Sequence, residues 1–200
     1  MKRKAYSAGA VKHSFWFSEF RKVVLFLADG ISWDEIKRLC LTENLFGATS
    51  SLRASQIWST VSGRIRSLPE NFYPIFQKGE ISTQKLFALT AAMAYDSLFA
   101  DFVYEVIREK MIIGINEFSD SDVKIFFKNK QEQDEKVAHW TDETINRLGK
   151  CYKTMLFESG LTDKSQEKRK INRPILEPEF AQWLQNNDLG FYFKALTGVR

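Results

Sequence analysis

The sequence predicts an all-α helical bundle, on three observations. Apolar residues recur three and four apart through most of the 200 positions, the spacing that gathers them on one side of a helix. Ser, Thr and Asp stand just ahead of those stretches, where a side-chain oxygen can take the free amides of a first helical turn. No stretch alternates apolar and polar residues over the length of a strand, so a sheet has no support.

Residues 1–12 form a basic arm that carries Lys2, Arg3 and Lys4. Ser14 is placed to cap a first helix, whose apolar positions Phe17, Phe20, Val24, Leu25, Leu27 and Ala28 keep the helical period until Asp29-Gly30 ends it. Ser32 and Glu35 have capping-box spacing, so a second helix starts at Trp33 and runs to about Thr42. Asn44-Leu45-Phe46-Gly47 supplies a turn, and Ser50 and Ser51 a fresh cap. The third helix runs from about Ser51 to Leu68 and is stopped by Pro69. Its apolar stripe is Ala54, Ile57, Trp58, Val61, Ile65 and Leu68; opposite it, Arg53, Gln56, Thr60 and Arg64 share a face, with Arg66 close by.

Residues 71–76 read as a short helix ending at Gly79, and Ser82 caps the most apolar helix, Thr83 to about Ala94. From Asp96, the double row Leu98, Phe99, Phe102, Val103, Val106 and Ile107 marks a further buried helix. Ser119-Asp120-Ser121-Asp122 opens another, and Thr141-Asp142-Glu143 opens one that closes at Gly160. Residues 161–174 turn polar and end in Lys168-Arg169-Lys170, which reads as an exposed basic loop. Two short helices, 179–185 and 191–196, finish the chain. The expected organisation is a basic three-helix unit with a helix-turn-helix-like element at 1–68, and a helical bundle at 69–200 packed against it in one fold.

A hydrophobic share of 44% and seventeen Phe support a core that needs no staples. The two cysteines, Cys40 and Cys151, read as buried reduced thiols. No targeting or membrane segment is recognised, so the cytoplasm is expected. His13 and His139 have no ligand spacing to each other or to a Cys, so no metal is expected. Glycine-rich phosphate loops and nucleophile elbows are absent, so the reading is a non-enzyme without cofactors, small-molecule substrate or membrane partner.

Charge is divided unevenly. Residues 1–68 hold eleven Lys and Arg against five acidic residues, a net +6; because the whole chain is +4, residues 69–200 carry −2. A clustered positive field steers polyanions. Arg and Gln can contact base edges, while Ser50 and Ser51 stand at a helix start that suits phosphate. Duplex DNA is therefore the expected partner, through Arg53, Gln56, Thr60, Arg64, Arg66, Ser50, Ser51, Lys2, Arg3 and Lys4. The same polar face would equally suit a solvated bundle helix.

Several short motifs occur in order along nearly the whole chain: Ser7-Ala8-Gly9, Gly30-Ile31-Ser32-Trp33-Asp34-Glu35-Ile36, Asn44-Leu45-Phe46, Thr83-Gln84-Lys85-Leu86, Ile113-Gly114 and Leu189-Gly190-Phe191. Together they resemble the BrxA-type proteins, components of bacteriophage-exclusion (BREX) systems. The resemblance implies a bundle similar to the RNA-binding factor NusB, a helix-turn-helix-like element, DNA binding and no catalysis. It also leaves open docking on larger BREX components, or RNA binding. It transfers no functional residues.

Overall fold

The computed structural model describes residues 4–165 and 167–200. A 3-10 turn, Ala8–Lys12, opens the described chain. Helix α1 (Phe17–Ala28) starts later than a Ser14 cap would set it. The carbonyls of Ser14 and Phe15 are taken by the Arg64 side chain, and Trp16 enters the helix from the left-handed region at φ 52°.

Helix α2 (Trp33–Thr42) begins at its Ser32 cap, whose Oγ accepts the Glu35 amide at 3.2 Å. The Glu35 carboxylate does not complete a capping box; it pairs with Arg38, which also reaches Glu43. Residues 43–50 join α2 to α3 (Ser51–Ile65), a longer connection than the three or four residues of a helix-turn-helix. Asn44 closes it, its side chain bonded to Ala48 in both directions. Gly47 sits at φ 62°, which only glycine adopts without cost.

A 3-10 turn at Glu70–Phe72 leads into α4 (Tyr73–Lys78). Helix α5 (Ile81–Tyr95) starts one residue ahead of Ser82, which lies in its first turn and does not cap it, and is buried throughout Leu86 to Ala94, as the nearly continuous apolar run there requires. Helix α6 (Ser97–Ile112) leaves it at 115°. Asp96 makes that corner, its Oδ1 accepting the Leu98 and Phe99 amides. Over Val103–Arg108 the helix widens to the π form. There it receives the last helix: Tyr104 stacks on Phe191 at 4.4 Å, and Arg108 donates to the Val199 carbonyl.

Helix α7 (Asp120–Gln133) starts on a true capping box between Ser119 and Asp122. It is followed by α8 (Glu135–Ala138), α9 (Asp142–Glu158) on its Thr141 cap, α10 (Pro178–Asn186) and α11 (Gly190–Thr197). The basic loop is partly a ribbon. Strand β1 (Glu117–Ser119) pairs antiparallel with β2 (Lys168–Lys170), Phe118 facing Arg169 across the pair. Three residues are too few to show an alternation, which is why the sequence hides it.

Buried apolar residues from Ala10 to Leu196 form one contiguous cluster, so 1–68 and 69–200 share a core. Phe87 meets Phe180 and Trp183 at 4.3 and 5.2 Å in one aromatic group. Tyr152 meets Phe99, Phe102 and Phe127 at 4.9 to 5.9 Å in another. The Tyr152 hydroxyl is fully buried and finds no hydrogen-bond partner among the described residues. Tyr152→Phe therefore removes a desolvated group and nothing else: denaturant unfolding should show a gain of about 1 kcal/mol, and a loss would mean that the hydroxyl is bonded. Among the described residues no single helix is long and apolar enough to cross a membrane; the apolar bent pair α5–α6 supplies the core.

Candidate nucleic-acid interface

The residues expected on the outer face of α3 separate into two groups. Arg53 is partly exposed and Gln56 exposed, but Thr60 and Arg64 are each only 3% exposed. The expected four-residue face is thus corrected to its N-terminal half. Beyond Gln56 the helix runs beneath the chain around Ser14, from 50 positions upstream, and beside Met155, 91 positions downstream. A helical wheel drawn on α3 alone cannot register a cover supplied by segments so distant in sequence.

Arg64 holds that cover in place. Its Nη1 donates to the Ser14 and Phe15 carbonyls at 3.0 and 2.7 Å, and its Nη2 lies 3.7 Å from Met155 Sδ. Burial pulls its pKa down to about 10, so the group stays charged at neutral pH.

The other expected site residues are scattered. Ser50 and Ser51 are exposed at the start of α3, where Ser50 Oγ accepts the Arg53 amide at 3.2 Å. Arg66 follows the last turn, ~20 Å along the axis from Arg53, its guanidinium 4.3 Å over Trp33. Lys2 and Arg3 lie outside the described residues. Lys4 is exposed, its amide donating to Ser97 Oγ at 3.0 Å.

Lys4 and Arg53 nevertheless end a common strip. Lys4 Nζ lies 4.3 Å over the Tyr95 ring. Tyr95 lies 6.5 Å from His13, and His13 6.1 Å from Trp16. The Arg53 guanidinium lies 5.0 Å over Trp16 and donates to Gln56 Oε1 at 3.4 Å. Cation, aromatic, imidazole, aromatic and cation thus follow one another across the N-terminal segment, α5 and α3. Tyr95 reaches this position because Gly63 leaves room on α3; a Cβ at Gly63 would stand 2.6 Å from its ring.

The strip is electropositive. Burial, then Arg64, Lys12 and Arg53, hold the His13 pKa down to about 4, so the ring is neutral at pH 7 while three cations bear on it. Inward of the strip opens a cavity of about 210 Å³, whose lining includes Lys4, His13, Arg64, Tyr95, Asp96 and Met155. Burial raises the Asp96 pKa to about 6, against the α6 amides, Arg64 and Lys4, which lower it. Nearby, Cys151 Sγ sits 3.0 Å from the Ala10 and His13 carbonyls, and burial pushes its thiol up to about 11. It is not a thiolate at neutral pH.

Charge counting points to the third of the chain that holds Lys4 and Arg53 but not to Trp16 or Tyr95 as the rings beneath them. Nothing in the local sequence pairs residues 16 and 53, or 4 and 95; only the packing of α3 against α1 and α5 does.

The sequence profile of the BrxA family matches residues 4–188. The BREX protein BrxA of Bacillus cereus (strain H3081.97) is 32% identical over 198 residues, covering 99% of each chain. Among solved structures, an uncharacterized protein from Magnetospirillum magneticum matches with a TM-score of 0.80 over 98% of this chain and 100% of the other; at 18% identity this likeness concerns the fold. The family match spans the strip from Lys4 through Tyr95 and the bundle that supports it, and the chain belongs to the BrxA family.

Proposed function

We propose that this protein is a non-catalytic, cytoplasmic DNA-binding component of a BREX phage-defence system, and that it contacts duplex DNA through the strip from Lys4 to Gln56. The observation that supports the reading is the pair of cations laid on aromatic faces, Lys4 on Tyr95 and Arg53 on Trp16, in the third of the chain that carries +6. A cation resting on a ring keeps its outer edge for a phosphate while its stem is held in place. Phosphate contacts dominate such an interface and sequence preference is weak, because Gln56 and Arg53 are the only base-reading groups on it.

Titration of labelled duplex DNA across a salt series tests this. Lys4→Glu with Arg53→Glu should weaken binding at least tenfold at low salt and make the salt slope shallower by about two ions, with the helical circular dichroism signal unchanged. Unaltered binding would remove the strip from the interface. Structured RNA competing better than duplex DNA would favour the NusB-like reading. A docking role on larger BREX components has its own observation: Ile113 and Ile125, 65% and 59% exposed, border a groove edged by Glu105, Glu109 and Asp122. Co-purification that survives high salt and is lost in Ile125→Asp, with no DNA retained, would support that role.

A further inference from the structure

Arg64 is a buried cation that makes no ion pair among the described residues, although the carboxylate of Asp96 lines the same cavity. Among the described residues no carboxylate stands within ion-pair distance of it. Both Nη1 hydrogens go to the Ser14 and Phe15 carbonyls; among the described residues Nη2 has only the thioether of Met155, and Nε has no partner. A buried guanidinium N–H left unmet is costly and rare. The two nitrogens so left, Nε and Nη2, make the edge that takes both oxygens of a carboxylate or phosphate side-on.

The same residue lines the 210 Å³ cavity, room for about seven water molecules. Its charged lining is Arg64 and Lys4 against Asp96, one positive charge in excess, because the His13 ring is neutral at pH 7. Ser7 and Ser97 add hydroxyls, while Ala92 and Phe99 give an apolar wall. A duplex cannot enter a space of this size; a compact molecule can.

We propose that this cavity binds a small oxyanion, a phosphate or carboxylate group on a compact molecule, on the Nε–Nη2 edge of Arg64 once the flexible Met155 side chain, which lies on that edge and lines the same cavity, swings aside, with Lys4 at its mouth. The site borders the strip proposed for DNA and shares Lys4 with it, but does not rest on that reading.

The test is a titration of the ¹⁵N-labelled full-length protein with inorganic phosphate, and separately with acetate, at constant ionic strength kept with chloride. The readout is the Arg64 side-chain Nε–H signal. It is assigned by its loss in Arg64→Lys or, where that variant does not fold, by its through-space contacts with the Met155 methyl group. The expected result is a saturable shift of that signal with a millimolar or tighter midpoint, and the anion that saturates first identifies the preferred group. A short duplex at the same phosphate concentration should leave the Arg64 signal in place. A linear, unsaturable drift with both anions, or a shift produced by the duplex alone, would overturn the proposal.

Discussion

Arg64→Ala should lower the unfolding free energy by about 3–5 kcal/mol, because it strips the buried Phe15 carbonyl of its donor at about 1–3 kcal/mol, the part-buried Ser14 carbonyl at less, and removes the packing of the side-chain stem. The carbonyls are those of Ser14 and Phe15, and they fix where α1 begins and how Trp16 is presented. Working against the loss is the relief of a desolvated charge, the same burial that draws the Arg64 pKa down. Arg64→Met separates the two effects: it keeps the stem and drops the charge, so it should fall between wild type and Ala. Thermal melts should register the Ala variant as a fall in Tm on the order of 10 °C. A loss under about 1 kcal/mol would show that the N-terminal segment is held by something other than this guanidinium.

The second large effect is on the pH dependence of stability, where Asp96 and His13 pull in opposite directions. Burial chiefly raises the Asp96 pKa from an ordinary 3.8 to about 6 in the folded state. The folded state binds this proton more tightly, so ionised Asp96 costs stability above pH 6, and the cost is relieved as pH falls toward 3.8. At pH 7 it amounts to about 3 kcal/mol. His13 titrates at about 4 when folded against 6.5, again chiefly through burial. Its neutral ring gives stability that is complete above pH 6.5 and is lost as pH falls toward 4; the ring is half-buried, so the size is less than the shift alone suggests.

In the wild type the two contributions offset each other across pH 4 to 6.5. Asp96→Asn keeps an oxygen to cap α6 and should be more stable than wild type at pH 7, an advantage that shrinks as the solution is acidified. His13→Asn should lose ground at pH 7 and recover it toward pH 4. Urea unfolding at half-unit pH steps measures both differences. Parallel profiles for the two variants would remove the assignment.

Where a helix start carries its own chemistry it was legible; the starts of α1 and α5, which have no side-chain cap, were misplaced onto Ser14 and Ser82. Ser32, Ser50, Asp96, Ser119 and Thr141 all cap the helices they precede, and the apolar double row of α6 is buried as its spacing requires. Illegible were the features that depend on a partner far along the chain. Thr60 and Arg64 share the helical phase of Arg53, yet both are buried, Arg64 beneath residues 14–15 and beside Met155 of α9. The π segment of α6 lies where α11 is seated, and the β1–β2 ribbon joins triplets about fifty positions apart. Of the candidate site, local patterning marked Arg53, Gln56 and Lys4 but not the rings beneath the cations. An aromatic side chain reads the same in sequence whether it fills a core or supports a charge.

The seating of Arg53 on Trp16 also has an optical consequence. An indole with a guanidinium across its face emits differently from one that has lost it, so any polyanion that lifts Arg53 away should change the fluorescence of Trp16. Trp33 lies under Arg66 in the same way, so Trp33→Phe isolates the Trp16 response from a background of Trp58, Trp140 and Trp183. The protein thus carries a label-free indicator of its own occupancy.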